Sequence, residues 1–219
     1  MTFDGFPEDL LTFYEGLAAD NSKAYWTDHR HLYDSCVAAP MKALLDELGP
    51  EFGEAKFFRP YRDVRFSKDK TPYKTAAAAV VHDPDGGGVL YLQVSADGLF
   101  VAGGYYHIAT DQAQRLRAAA AEDASGDALT AILTALEKDG WTIGGERLQR
   151  VPKPWDPDHP REELMRAKSL TAGRSEPPDE WMHTTEVKNW VAQSWRTLQP
   201  LNDWLRRYVG ASRAPARQR

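Results

Sequence analysis

Val89-Leu90-Tyr91-Leu92-Gln93-Val94-Ser95-Ala96-Asp97-Gly98-Leu99-Phe100-Val101-Ala102-Gly103-Gly104-Tyr105-Tyr106 decides how this chain folds. Two apolar, β-prone runs, Val89 to Ala96 and Leu99 to Tyr106, meet at Asp97-Gly98, a dipeptide suited to a two-residue type I′ hairpin. That turn would set Ala96 opposite Leu99, Val94 opposite Val101 and Leu92 opposite Gly103, making one face of the hairpin apolar. Two further strand-like runs precede it, Lys56 to Phe66 and Thr75 to His82, so the pattern predicts an antiparallel meander of about four or more strands. The connection Asp83-Pro84-Asp85-Gly86-Gly87-Gly88 reads as a loop, because its glycines do not follow a strand and open a helix as a dinucleotide site requires.

Helical patterns flank the meander. Phe6, Leu10, Phe13, Tyr14 and Leu17 recur at helical spacing over Pro7 to Leu17. Asn21 then caps a second helix, whose stripe of Trp26, Tyr33, Val37, Met41, Leu44 and Leu48 is expected to bend at Pro40 and end at Gly49-Pro50. Beyond the meander, Asp111 to Ala121 and Asp127 to Lys138 read as helices separated at Ser125-Gly126, and Trp141 to Val151 as a small hairpin turning at Gly144-Gly145. Asp158 or His159 caps a short helix that Pro160 starts and that ends near Lys168. A long final helix from about Thr184 to Tyr208 presents Val187, Trp190, Val191, Leu198, Leu201, Leu205 and Tyr208, with a bend expected at Pro200. The fold class is α+β, an antiparallel sheet covered by N-terminal and C-terminal helices. One domain over 1–210 and a disordered basic tail over 211–219 account for the length.

Composition narrows the function. The longest apolar run, Ala76 to Val81, is far short of the roughly 20 residues that cross a bilayer, and Met1 to Asp20 shows no export pattern, so a cytoplasmic location with no membrane partner is expected. Cys36 is the single cysteine and reads as a buried, inert thiol. The histidines, at 29, 31, 82, 107, 159 and 183, show no ligand spacing, and no metal site is expected. Nothing in the sequence names a cofactor, a nucleophile or a general base. A net charge of −5 argues against a general nucleic-acid binder.

The charge is unevenly placed, however. Between positions 59 and 74, Arg59, Arg62, Arg65, Lys68, Lys70 and Lys74 face only Asp63 and Asp69, a local +4 that leaves −9 for the remainder. A strand here would carry charge on both faces, which costs stability unless the groups are paired or line a cavity. Guanidinium forks and mobile ammonium groups suit phosphate or carboxylate, so the candidate ligand-binding set is Arg62, Asp63, Arg65, Lys68, Asp69, Lys70, Tyr73 and Lys74. Tyr105 and His107, which follow the paired glycines Gly103-Gly104, join it as an aromatic wall. The run Arg59-x-x-Arg62-Asp63-x-Arg65-Phe66, followed by Asp69-Lys70 and Tyr73, resembles the hallmark of domain of unknown function family 2461. The similarity extends to Asn21 to Trp26, where Asn21-Ser22 stands in place of paired asparagines, to Gly103 to Tyr106, and to Asp158-His159-Pro160 with Arg166 and Lys168. The resemblance implies a fold and a site but no activity.

Three functions fit these residues. The first is recognition of a small anionic ligand by the basic segment, with or without catalysis. The second is a protein-interaction or structural module, in which the segment is an ion-pair network or the tryptophan-bearing final helix forms a homodimer instead of packing within a monomer. The third, a nucleic-acid-processing factor, has the least support: Asp63-x-Arg65 places an arginine, which cannot give up its proton, where a nuclease of the restriction type needs a lysine.

Overall fold

The computed structural model describes residues 2–213. Six strands form one open antiparallel sheet, β1 (Ala55–Phe57), β2 (Ala76–His82), β3 (Val89–Ser95), β4 (Gly98–Tyr105), β5 (Thr142–Gly144) and β6 (Leu170–Glu176), in the order β1-β2-β3-β4-β6-β5. By compactness the chain divides into two units. The first comprises the residues up to Val81, Tyr91–Val101 and Ser175–Ser194; the second comprises His82–Leu90, Ala102–Arg174 and the residues from Trp195 onward.

In the first unit, α1 (Asp9–Ala19) buries Leu10, Phe13, Tyr14 and Leu17, the stripe that its spacing predicts. Helix α2 (Lys23–Leu32) is capped by Ser22, whose side chain accepts a hydrogen bond from the Tyr25 amide, and not by Asn21, which is engaged elsewhere. Pro40 cannot donate a backbone hydrogen bond, and the chain meets it with a π-helical turn over Tyr33–Ala38 before α3 (Ala39–Phe52). Helix α3 continues through Gly49 and Pro50 and stops at Gly53, which has the φ of +96° that a helix end favours in glycine.

The β3–β4 hairpin forms where the sequence puts it, but with a different turn. Ala96 and Asp97 are the turn residues, Gly98 takes φ +100°, and no non-glycine residue has a positive φ among the described residues. A type I′ turn would force Asp97 into the left-handed region. Leaving that conformation to Gly98 instead matches a type I turn with a glycine bulge, and Ser95 Oγ accepts from the Asp97 amide at 3.1 Å.

In the second unit, α4 (Thr110–Ala121) packs against α5 (Asp123–Lys138), with the break at Glu122, three residues before the expected one, and against α6 (Glu162–Met165). The expected hairpin over 141–151 is absent. Strand β5 pairs with β6 instead, Thr142 with Gly173, Ile143 with Ala172 and Gly144 with Thr171, and the pairing extends to a bridge between Arg147 and Ala167. Strand β6 has no local signature, since Thr171-Ala172-Gly173-Arg174-Ser175 lacks the bulky residues that announce a strand. Its backbone runs so close to Gly104 (φ +103°) that a Cβ there would lie 2.3 Å from the Leu170 carbonyl oxygen.

The final helix, α7 (Glu186–Tyr208), runs on through Pro200, and Val187, Val191, Trp195, Leu198, Leu201, Trp204 and Leu205 along it are buried. The tail expected over 211–219 lies outside the described residues from position 214 on. Before that point, Ser212 Oγ and the Arg213 amide both donate to the Asp111 carboxylate.

Replacing Gly104 by alanine combines an unfavourable φ with a clash against the β6 backbone. We expect Gly104→Ala to cost at least about 1–3 kcal/mol in urea unfolding, and an unchanged midpoint would contradict the close approach.

Candidate functional site

The basic segment departs from the sheet after Phe57. The strand expected over 56–66 stops there because Pro60 has no N–H to give a neighbour and the alternating charges have no apolar face to bury. The chain instead folds back on itself. Arg62 N donates to Pro72 O at 2.9 Å, Lys74 N donates to Pro60 O at 2.8 Å, and Tyr61 bridges Tyr73, so residues 59–62 and 72–74 form the stem of a loop.

The stem is fixed by Asn21. Its Oδ1 accepts from the Tyr73 amide at 3.0 Å and its Nδ2 donates to the Tyr73 carbonyl at 3.1 Å, satisfying both backbone groups of one residue. The Tyr73 ring, 6% exposed, stacks on Trp26 with centroids 4.3 Å apart and 9° between planes. Burial, with a contribution from Tyr61, raises the Tyr73 phenol pKa.

Beyond the stem the charges pair within the loop. Asp63 receives the Arg65 Nε and Nη2 protons at 2.9 and 2.7 Å and the Arg65 amide at 3.3 Å; these bonds hold its carboxyl down to about 2. Asp69 accepts from the Thr71 amide and hydroxyl, both at 2.9 Å, and from Arg62 Nη1 at 2.5 Å. The Thr71 amide is the largest cause of an Asp69 pKa of about 2, followed by the side chains of Arg62 and Thr71. Lys70 Nζ donates to Val64 O at 2.8 Å. Lys68 is exposed, and Phe66 beside it is 96% exposed.

Within this unit lies a cleft of about 710 Å³. The loop and stem contribute Phe58, Arg62, Asp69, Thr71, Tyr73 and Lys74; Asn21 and the sheet residues Tyr91 and Gln93 line it as well. Four of the expected site residues, Arg62, Asp69, Tyr73 and Lys74, therefore meet in one concavity. Asp63, Arg65, Lys68 and Lys70 do not line it. Tyr105 and His107 belong to the other unit: the Tyr105 hydroxyl donates to the carbonyls of Gly86 and Gly210, burial raises its pKa to about 12, and His107 lies edge-on to Tyr106.

Lys74 differs from the other loop cations. Its Nζ lies over the Phe58 ring, 5.2 Å from the centroid, and it has no carboxylate partner among the described residues. Burial first, and the positive charge of Arg59 second, lower its pKa. Asn21, Phe58, Tyr91 and Gln93 were not in the sequence-derived set. Asn21 carries the local signature of a helix cap, and the sheet residues reach the cleft only through strand pairing. Among the described residues no group of three or more His, Cys, Asp or Glu is arranged to hold a metal ion, and no helix is long and apolar enough to cross a membrane.

The fold and cleft define an α+β protein with an open antiparallel sheet and a mixed-charge concavity on the loop that follows its first strand. The family model described as conserved hypothetical protein (DUF2461) matches residues 9–204, and the chain belongs to that family. No curated protein and no solved structure matches it.

Removing the Asn21 carboxamide leaves both Tyr73 backbone groups without a partner, so Asn21→Ala should lower stability by about 1–3 kcal/mol in urea unfolding, with loss of the near-ultraviolet signal of the Trp26–Tyr73 stack. The acid titration carries a sign. Asp69 has a folded pKa of about 2, below the ordinary carboxylate value of about 3.9, so its anchoring of Thr71 is complete above that value and is lost as pH falls through about 2. Protection of the Thr71 amide against hydrogen exchange should vanish over that window. Loss of protection already at pH 5 would show that Asp69 does not hold it.

Proposed function

We propose that this chain recognises a small phosphate- or carboxylate-bearing ligand in the cleft, with Lys74 as the charge that meets it. The observation that carries the reading is the placement of Lys74, a half-buried cation that lines the cavity and has no acid beside it. A cation removed from water without a counter-ion is electrostatically incomplete, and an incoming anion supplies what burial took away. Arg62 lines the same cavity but shares its charge with Asp69, so it serves as an oriented hydrogen-bond donor more than as a net positive charge. Gln93, Tyr91, Thr71 and Asn21 add amide and hydroxyl groups suited to the polar remainder of a small molecule. A single net charge in a cavity of this size favours a metabolite-sized anion over a polyanion, whose grip would need a row of unpaired cations.

A second reading draws on a separate observation. The Asp63–Arg65 pair, the Arg62–Asp69–Thr71 cluster and the Lys70–Val64 bond tie the loop to itself, as a structural ion-pair network would. The two readings share Arg62 and Thr71 but differ at Lys74, and a binding experiment separates them. Inorganic phosphate should raise the melting temperature of the wild-type protein, by the equivalent of about 2.7 kcal/mol at a hundredfold excess over Kd. Lys74→Gln should abolish that shift, whereas Arg65→Ala, outside the cleft, should retain it. A melting temperature unmoved by phosphate and by small carboxylates such as citrate would leave only the structural network.

A further inference from the structure

Lys74 combines three features that are not found together in another lysine of the basic segment. It lines an open cleft, it has no acidic partner, and it is half-buried against an aromatic face with a second cation nearby. Lys68 is exposed, and Lys70 spends a proton on a backbone carbonyl. A lysine bound to a carboxylate is locked as an ammonium, with no lone pair to offer. One removed from water next to another positive charge has a larger share of free amine, and this is how proteins make a nucleophilic lysine. The Phe58 ring opposes this by attracting the charged form, yet it also keeps Nζ against one wall of the cavity.

We propose that Lys74 is a nucleophilic amine that condenses with the carbonyl group of an anionic ligand, a 2-oxo acid or a phosphorylated aldehyde, bound in the cleft. The inference rests on the anion reading above and adds a covalent step to it. The Nζ lone pair adds to the carbonyl carbon, the carbon–oxygen π pair moves to oxygen, and that oxygen takes up protons and departs as water. The nitrogen gives up its remaining protons to solvent, and a carbon–nitrogen double bond is left, with no net oxidation or reduction. The Arg62 guanidinium, held by Asp69 and Thr71, is the planar donor in the same cavity for the anionic group of the ligand. Asp69 is fully ionised at neutral pH in that arrangement and acts as an orienting group, not a proton donor.

The test uses the wild-type protein and two probes. Pyridoxal 5′-phosphate presents a phosphorylated aldehyde, and glyoxylate presents a 2-oxo acid without phosphate; borohydride reduction makes any imine permanent, and peptide mass mapping locates it. The expected result is an adduct dominated by Lys74 over Lys68 and Lys70, formed faster as pH rises, slowed by inorganic phosphate, and lost in Lys74→Arg. Preference for one probe identifies which anionic group the cleft takes. Labelling spread evenly over the three lysines, or absent from Lys74, in a protein that phosphate still stabilises overturns the covalent step and leaves the anion reading standing. If phosphate neither stabilises the protein nor slows labelling, both fall. Because the decisive labelling is read on the unmodified chain, a Lys74→Arg protein that fails to fold does not weaken the result.

Discussion

The carboxamide of Asn21 holds the amide and the carbonyl of Tyr73, and much of the candidate site depends on that pair of hydrogen bonds. Tyr73 belongs to a loop that sheet pairing does not hold, since the loop leaves β1 at Phe57 and returns to β2 only at Ala76. A loop of that length would keep considerable freedom, with an entropic advantage of order 1 kcal/mol or more per residue. Pinning one residue through both backbone groups and stacking its ring on Trp26 gives the stem a single position. From there the Tyr61–Tyr73 bridge sets Arg62 and Lys74 at the cleft.

The loop beyond the stem is arranged by its own charges. Asp63 meets Arg65 two residues on, and Asp69 meets Thr71 two residues on and Arg62 seven residues back. Exposed ion pairs of this kind are worth between nothing and about 1 kcal/mol each, so they orient more than they stabilise. Their effect is to tie Arg62 and Arg65 to carboxylates of the loop itself, while Lys74 faces the cavity without an acid. The electrostatics of the site are therefore much more focused than the local +4 suggests.

Much of the fold was legible in the residues. Helix α1, the α7 stripe and strands β3 and β4 follow from the spacing of apolar side chains, because burial of a face imposes a period, whereas β2 is buried on both faces and shows only as a continuous apolar run. The segment that supplies much of the candidate site stands out in the sequence too, as charge where a strand should be apolar. What misled was local chemistry with two valid outcomes. Asn21 is as good a cap as Ser22, Gly144-Gly145 turns a hairpin as readily as it ends an edge strand, and Asp97-Gly98 fits two turn types. In the first two cases a partner distant in sequence chose between them, Tyr73 taking Asn21 and β6 taking β5; at the turn the choice is local, with Gly98 adopting the positive φ.

Periodicity and composition by themselves determined the α+β class, the meander at its centre and the basic segment as the place where regular structure gives way, since each depends on interactions between residues close in the chain. Only the tertiary structure decided which cations are paired with neighbouring carboxylates and which one lines the cleft without an acid beside it. That outcome turns on distances of a few ångströms between groups such as Asn21 and Tyr73, 52 positions apart, which no local pattern encodes.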